Sequence, residues 1–335
     1  MLILLSPAKS LDFETPAPTK KAGVPRFLDE QTAALAGVLR KKKENDLAEL
    51  MGLSKGLAKL NYARCQSFDA ALIHEQVGKK SGSKDGAPPP AKQALWAFTG
   101  DVYQGLDAVS MKAKQIERAQ ASVRMLSGLY GVLKPCDQIL PYRLEMGTKL
   151  KTPKGKNLYE FWGSAITEAL SDDKPDWICN LASGEYYKSV KEAELGCPVV
   201  HPVFKDESKG EFKVMGLFAK YARGLMTRWI IDNNVKEPGE LSGFDVGGYR
   251  FNKKESADLK PVFQRPASAR KCGASSSFSN SFLLRQQPRQ QLVGKVVLWI
   301  GEDDDTPYCG VQDEIVGFLF GDRLQNIIDL FVDRG

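Results

Sequence analysis

The chain has 335 residues, of which 42% are hydrophobic and 26% are charged. This balance is typical of a globular protein with one large core or two domains, and it excludes a chain that is disordered throughout. The apolar runs are far shorter than the roughly 20 residues of a membrane helix, and the first residues lack the basic start and the cleavage site of a secretory signal. We therefore expect no membrane span and a cytoplasmic location.

The net charge of +6 is unevenly distributed along the chain. Residues 266–335 hold 7 Lys and Arg against 9 Asp and Glu, so the remaining 40 and 32 give residues 1–265 a net charge of +8. A basic excess of this size suits a phosphate-bearing partner, although many proteins that bind no phosphate share it.

Cysteine and histidine spacing argues against a metal centre. The six cysteines form no CxxC pair, and neither of the two histidines has a second ligand at the spacing of a zinc site. This pattern predicts reduced thiols, no dedicated metal site and no cofactor. It also disfavours direct sequestration of iron, which would need more histidines or a thiolate cluster.

Hydrophobic periodicity predicts an α/β fold, with a mixed sheet flanked by helices. Strands are expected at residues 1–5, 123–126 and 177–181, and a strand hairpin at 198–204 and 211–215. Helices are expected at residues 27–43, 91–98, 110–120, 157–170 and 217–232.

Two stretches read as additions to this fold. Residues 79–90, rich in Gly, Ser and Pro, predict a flexible surface insertion. After Pro266 the composition shifts to Ser, Gln and Arg as in a linker, and strand-like and helix-like patterns return at 292–300 and 311–332. We therefore predict one domain over residues 1–265 and a C-terminal appendage over 266–335.

The segment LMGLSKGLAKL, residues 50–60, predicts two short helices joined by a turn at 52–56. It is comparable to helix-hairpin-helix DNA-binding elements, in which turn N–H groups and a nearby lysine contact a phosphate. Ser54 stands where a second glycine is typical, so a plain helical hairpin stays open as the alternative. The candidate DNA contacts are Gly52, Ser54, Lys55, Gly56 and Lys59.

Polar clusters follow several apolar segments of the chain. They occur at residues 6–9, 99–106, 126–135, 141–147 and 183–189. Each cluster alone is compatible with an ordinary turn, but the carboxyl ends of parallel strands meet at one edge of a sheet, where α/β folds place their sites. In an extended segment, Arg143 and Glu145 point the same way, and they either pair with each other or hold a polar ligand.

The helix at 217–232 reads as amphipathic. Phe218 and Tyr221 fall on the apolar face, and Lys220, Arg223 and Thr227 fall on the opposite face. That second face is either solvated or directed at phosphates.

Seven motifs taken in order resemble the YaaA family of peroxide stress resistance proteins over residues 1 to about 265. They are LLSPAKSLDF, FTGDVYQGL, RMLSGLYGVLKPCDQILPYRLEMG, NLYEFWG, NLASGEYYKSV, PVFKDE and AKYARGLMTRWII. The resemblance implies a cytoplasmic α/β protein that limits intracellular iron and oxidative DNA damage under peroxide, with DNA binding through a helix-hairpin-helix element. It also implies one pocket, formed by Ser6, Lys9, Asp101, Tyr103, Tyr142, Arg143, Glu145, Glu185, Lys188, Lys220 and Arg223.

Two functions follow as expectations. The first is a DNA-binding protein of the peroxide stress response, with double-stranded DNA as its partner. The alternative is an enzyme acting on a small nucleotide or nucleobase, in which Arg143 holds an anion and Asp101 or Glu145 is the general base. In both cases we expect Lys9 at the rim of a cleft, beside Asp101 and Arg143.

Overall fold

A computed structural model describes residues 1–78 and 90–270, together with the backbone of two short strands at 299–301 and 308–310. The chain divides into two compact units, Met1–Arg270 and Lys271–Gly335. The predicted insertion lies outside the described residues except for Pro90, and the predicted helix at 311–332 lies outside them entirely. The two-domain organisation therefore stays a prediction.

Strands and helices alternate along the first unit. Its strands are β1 (Leu2–Leu5), β2 (Lys92–Gln93), β3 (Val123–Ser127), β4 (Gly131–Leu133), β5 (Gln138–Ile139), β6 (Ile178–Asn180), β7 (Val199–Val200), β8 (Val203–Ser208), β9 (Glu211–Lys213), β10 (Arg250–Phe251) and β11 (Val262–Arg265). Its α-helices are α1 (Ala33–Arg40), α2 (Glu44–Met51), α3 (Lys55–Ser67), α4 (Ala70–Gly78), α5 (Ala94–Ala97), α6 (Asp101–Leu106), α7 (Ala113–Ser122), α8 (Leu158–Trp162), α9 (Ala165–Asp172), α10 (Gly184–Tyr187) and α11 (Gly216–Asn233). A π-helical turn (Leu28–Thr32) precedes α1, and the second unit contains an antiparallel pair, β12 (Trp299–Gly301) and β13 (Tyr308–Gly310). Within the described ranges, no helix combines the length and the apolar character needed to cross a bilayer.

The central sheet has the order β4-β3-β1-β6-β7. Strand β1 lies at its centre and pairs in parallel with β3 and with β6, so that Ile3 is opposite Val123 and Leu2 is opposite Ile178. All of β1 is buried, as expected for a parallel strand covered on both faces, which explains why its sequence is an unbroken apolar run. The predicted α/β fold, with mixed sheets flanked by helices, is confirmed.

A second sheet has the order β10-β11-β8-β9. The strand hairpin predicted at 198–204 and 211–215 is correct only in part, because residues 199–200 form β7 of the central sheet. The hairpin itself is β8 and β9, with Lys209 and Gly210 at positive φ in its turn. Strand β11 pairs in parallel with β8 and antiparallel with β10, so it lies inside this sheet. It joins the end of the described first unit to an earlier part of the chain.

Two predicted helices are wrong in part. Residues 91–98 begin as β2, which pairs with β5, and only Ala94–Ala97 are helical. The Gln93 side chain donates to the carbonyls of Thr19 and Lys21, so tertiary contacts outweigh the helix propensity of this segment. Residues 157–170 form two helices, because Gly163 ends α8 at a positive φ of 52°.

Candidate functional site

An open cleft of about 280 Å³ lies where β1 and β6 end. We call it the strand-end cleft, and eight of the eleven residues predicted for one pocket line it. These are Ser6, Lys9, Asp101, Tyr103, Glu145, Glu185, Lys220 and Arg223. The topology explains this convergence, because parallel strands deliver the loops that follow them to one edge of the sheet.

Hydrogen bonds hold the two strand-end loops together. The Ser183 N–H donates to Ser6 Oγ over 2.8 Å, and Ser6 Oγ donates to Ser183 Oγ over 3.2 Å. The Tyr103 hydroxyl donates to the Ser6 carbonyl over 3.0 Å, and burial raises the pKa of that phenol well above its usual value. Ser6 and Tyr103 therefore fix the floor of the cleft as neutral groups.

Helices α6 and α11 form two walls of the cleft, and Gly105 of α6 and Gly224 of α11 allow these helices to pack closely. A Cβ atom at Gly105 would overlap the Tyr221 carbonyl, and one at Gly224 would overlap the Val102 carbonyl. The two helices therefore touch backbone to backbone. This contact holds Asp101 at the start of α6 opposite Lys220 and Arg223 of α11.

Two of the carboxylates in the strand-end cleft already have partners. Glu145 pairs with Lys9, whose Nζ is 2.9 Å from Oε2, and with Arg143, whose Nη2 is 3.4 Å from Oε1. Glu185 accepts the N–H of Gly147 over 2.8 Å. The expected ion pair between Arg143 and Glu145 is thus present in the structure, and Glu145 is the residue that connects Arg143 to the cleft.

Asp101 and Arg223 stand out because neither side chain has a hydrogen-bond or ion-pair partner among the described residues. Burial lowers the pKa of the Arg223 guanidinium, which has lost water without gaining an acceptor. The cleft therefore presents an unpaired carboxylate at Asp101 and, beside the exposed Lys220, an unpaired and partly desolvated guanidinium at Arg223.

Three predicted pocket residues do not line the strand-end cleft. Tyr142 is buried, with its hydroxyl 2.7 Å from Ser127 Oγ and its ring against Tyr130. Lys188 places its ammonium 5.0 Å from the centre of the Tyr159 ring. Arg143 lies behind Glu145, in a small cavity beside α3.

The predicted faces of α11 are wrong at two positions, although Lys220 is exposed as expected. Thr227, expected on the polar face, is fully buried, and Tyr221, expected on the apolar face, is 39% exposed. The close approach at Gly224 turns a face of small residues towards α6, so packing distance decides the buried side. Lys220 and Arg223 still reach the strand-end cleft from this rotated helix.

Two helices joined by a turn are present at this position, with a shorter turn than predicted, and their assignment as a helix-hairpin-helix element stays a prediction. Helix α2 ends at Gly52, which has a left-handed φ of 61°, and α3 begins at Lys55. Lys55 and Gly56 therefore belong to the first turn of α3 and not to the connecting turn. All five candidate DNA contacts are exposed: Gly52, Ser54, Lys55, Gly56 and Lys59.

Eight further residues line the strand-end cleft, and the four of these with polar side chains are Ser10, Thr99, Ser183 and Tyr186. Ser183 and Tyr186 lie in the polar cluster at 183–189, so the cluster was the signal that could have found them. None of the described cysteines lines this cleft, and burial raises the pKa of Cys65 and of Cys136 to about 11, which disfavours their reactive thiolates. Among the residues that the structure describes, no group of three His, Cys, Asp or Glu is placed to hold a metal ion.

Comparison with known proteins gives consistent matches over the first unit. A family model described as "Peroxide stress protein YaaA" matches residues 1–255. A relative from Hahella chejuensis, named only a UPF0246 protein, is 46% identical over 269 residues, which are 79% of this chain and 99% of the relative. A UPF0246 protein from Polynucleobacter necessarius is 45% identical, with 79% of this chain and 98% of the relative covered. One from Shewanella piezotolerans is 46% identical, with 79% and 99% covered.

Proposed function

Because the chain belongs to the YaaA family of peroxide stress proteins, we propose that it acts in the response to peroxide stress by binding double-stranded DNA. In this role it helps to limit intracellular iron and oxidative damage to DNA. The hairpin of α2 and α3 is the DNA-binding element of this proposal.

The observation that supports DNA binding is the exposed start of α3. Ser54 precedes the helix in an extended conformation and makes no side-chain cap, so the first N–H groups of α3 are free to meet a phosphate. Lys55 and Lys59, one turn apart, are exposed beside them, and neither has a carboxylate partner within the described ranges. Backbone donors flanked by two lysines suit the sequence-independent recognition of a DNA backbone.

Acidic residues on α2 limit where DNA can lie. Glu44 and Asp46 occupy the first turn of α2, at the end away from α3, and Asp46 accepts the Lys43 N–H over 3.0 Å. Glu49 lies near the connecting turn and repels a phosphate bound there. Between the two helices of the hairpin, the phosphate contact is therefore expected at the start of α3 and not on α2.

Fluorescence anisotropy with a labelled duplex tests this proposal. Changing Lys55 and Lys59 together to Glu should weaken binding, and the slope of log affinity against log salt should become shallower by about 0.9 for each phosphate that the variant no longer neutralises. Glu49→Gln should strengthen binding. The matched control is the Lys253→Glu, Lys254→Glu pair, which changes the same charge on an exposed turn elsewhere. Equal losses of affinity in the two lysine pairs would show a general charge effect and no role for the hairpin.

The strand-end cleft supports a second candidate, an enzyme acting on a nucleotide or nucleobase. The unpaired Arg223, with Lys220 beside it, suits a phosphate, and the unpaired Asp101 suits a base amino group or serves as a general base. Arg143, expected to hold the anion, lies outside this cleft, and Arg223 takes that role in the proposal.

A thermal-shift titration with nucleoside monophosphates tests the second candidate. Nucleotide should raise the melting temperature of the unaltered protein, and Arg223→Gln should remove the effect. Arg250→Gln, which alters an exposed arginine near Asp245, should keep it. A nucleotide shift that survives Arg223→Gln would place the ligand elsewhere.

A further inference from the structure

Arg143 lines a second cavity, which is much smaller than the strand-end cleft. It lies between α1, α3 and the segment that enters the strand-end cleft, and it is lined by Ala36, Leu39, Asn61, Arg64, Cys65, Phe68, Leu129, Pro141, Tyr142 and Arg143. We call it the Arg64–Arg143 cavity. Its volume is about 20 Å³, which is enough for about one water molecule or one oxygen atom of a larger group.

Two guanidinium groups share this cavity without a full set of acceptors. Arg64 is half-buried, and its side chain has no hydrogen-bond or ion-pair partner among the described residues. Arg143 is 16% exposed, reaches Glu145 only at 3.4 Å, and its Nε is buried without any acceptor. Burial and the charge of Arg143 both lower the pKa of Arg64. Two adjacent cations that have lost water are costly unless an anion joins them.

A third polar atom in the cavity is also unsatisfied. Asn61 is 2% exposed, and its Nδ2 donates to the Leu57 carbonyl over 2.8 Å, which fixes the orientation of the amide. Its Oδ1 therefore faces away from that carbonyl and has no donor. Asn61 Oδ1 and Arg143 Nε are thus an unpaired buried acceptor and an unpaired buried donor on residues that line the same cavity, which marks a place for a polar ligand or water.

We propose that Arg64 and Arg143 bind one phosphate oxyanion at the mouth of the Arg64–Arg143 cavity. One phosphate oxygen enters the cavity and accepts from Arg143 Nε, and Arg64 holds a second oxygen outside it. When no anion is bound, one water fills the same space and donates to Asn61 Oδ1. The small volume agrees with this arrangement, because it admits one oxygen and leaves the rest of the phosphate at the surface. This tetrahedral anion is distinct from any ligand of the strand-end cleft.

The source of the phosphate follows from the position of Arg64. It lies on α3, the helix whose first turn carries Lys55, and roughly 14 Å further along the helix axis. Nine helical residues are about two and a half turns, so Arg64 lies on the side of α3 opposite Lys55. A duplex that contacts Lys55 would therefore have to extend round α3 to place a second backbone phosphate at Arg64 and Arg143. This assignment to DNA rests on the proposed function, whereas the oxyanion site itself does not.

The experiment compares the unaltered protein with Arg64→Gln, Arg143→Gln and the double variant. Arg26→Gln is the matched control, since Arg26 is a half-exposed arginine paired with Asp172. Duplex affinity is measured over a range of salt concentrations, and melting temperature is measured with inorganic phosphate and with sodium chloride at equal ionic strength. We expect the double variant to neutralise about one phosphate fewer, which makes the log–log salt slope shallower by about 0.9. Phosphate should raise the melting temperature of the unaltered protein and of Arg26→Gln, but not of the double variant.

The outcomes separate the two proposals. If the duplex binds and the double variant keeps the full salt slope and the phosphate shift, the oxyanion site is wrong while DNA binding stands. If no duplex binds but phosphate still acts through Arg64 and Arg143, DNA binding fails and the site serves a small phosphate ligand. If neither duplex binding nor a phosphate-dependent rise in melting temperature is seen, both proposals are wrong. In buffer without phosphate, Arg64→Gln should not lower the melting temperature, because it removes a repelling charge; a fall would indicate a purely structural role.

Discussion

Asp206 and Arg265 form a buried ion pair that joins β8 to β11. Arg265 Nε donates to Asp206 Oδ1 over 2.6 Å, and Asp206 is completely buried. The Tyr249 hydroxyl donates to the other carboxylate oxygen over 2.7 Å. Both oxygens of the acid are thus satisfied, so this pair ties the end of the described first unit to its second sheet.

Removing that carboxylate should be strongly destabilising. Asp206→Ala leaves Arg265 buried without its counter-ion, and we expect the free energy of unfolding to fall by about 3–5 kcal/mol. Chemical denaturation measures this change. Lys205→Gln is the neighbouring control, since it breaks the more exposed pair with Glu255 and should cost less than about 1 kcal/mol. Similar losses of stability for the two variants would contradict the prediction.

The backbone contact between α6 and α11 gives a second prediction. Gly224→Ala places a methyl group against the Val102 carbonyl, which a side-chain rotation cannot relieve. We expect the free energy of unfolding to fall by about 3 kcal/mol or more. Gly37→Ala is the control, because nothing lies near its Cβ position in α1 and alanine should stabilise that helix by about 0.5–1 kcal/mol. A Gly224→Ala protein as stable as the unaltered one would mean that the helices can separate freely.

Glu145 gives a prediction about charge. Glu145→Gln leaves Lys9 and Arg143 without their shared carboxylate. Affinity for phosphate or duplex DNA should rise by about threefold to tenfold, because one nearby unit of charge is worth on the order of 1 kcal/mol at a partly exposed site. Anisotropy titration measures this rise. The exposed Glu14→Gln serves as control, and an equal increase there would assign the effect to net charge.

Asp137 gives a prediction about pH. Burial is the largest influence on this carboxyl and raises its pKa to about 6 from 3.8. The folded protein therefore keeps the proton to a higher pH than the unfolded chain does. The stability that protonated Asp137 contributes is fully present below about pH 4 and is lost as the pH rises through about 6, a change on the order of 2–3 kcal/mol.

Asp137→Asn should remove this dependence. We expect its free energy of unfolding, relative to the unaltered protein, to increase between about pH 4.5 and about pH 7.5. Urea denaturation at the two pH values measures the difference, and the comparison cancels carboxylates that both proteins share. A constant difference across this range would show that Asp137 titrates normally.

The convergence at the strand-end cleft could be predicted from the sequence, because it depends on topology. Buried apolar strands followed by polar clusters place Ser6 and Glu185 at one edge of a parallel sheet. Arg143 shows where this reasoning stops. Its spacing from Glu145 predicts a shared direction, which the structure contains, but only the packing of α3 determines that its guanidinium lies beside Arg64.

Helix α11 shows a second limit. Its large apolar residues predict which face is buried, but small residues give a weak hydrophobic signal although they permit the closest packing. The contact at Gly224 buries Thr227 and leaves Tyr221 partly exposed. A pair of glycines on different helices cannot be recognised as partners from one sequence, so the rotation of α11 was not predictable.

The central position of β1 also determines when the sheet can form during synthesis. The ribosome makes Leu2–Leu5 long before Val123–Ser127 and Ile178–Asn180, the strands on either side of it. Until β6 has emerged from the ribosome, β1 lacks one of its two neighbouring strands. The sheet therefore forms late, through contacts between residues that are far apart in the sequence. We therefore expect ribosome-bound chains in which residues 178–180 have not yet left the ribosome to remain protease-sensitive near the N-terminus, and chains in which they have emerged to become protected.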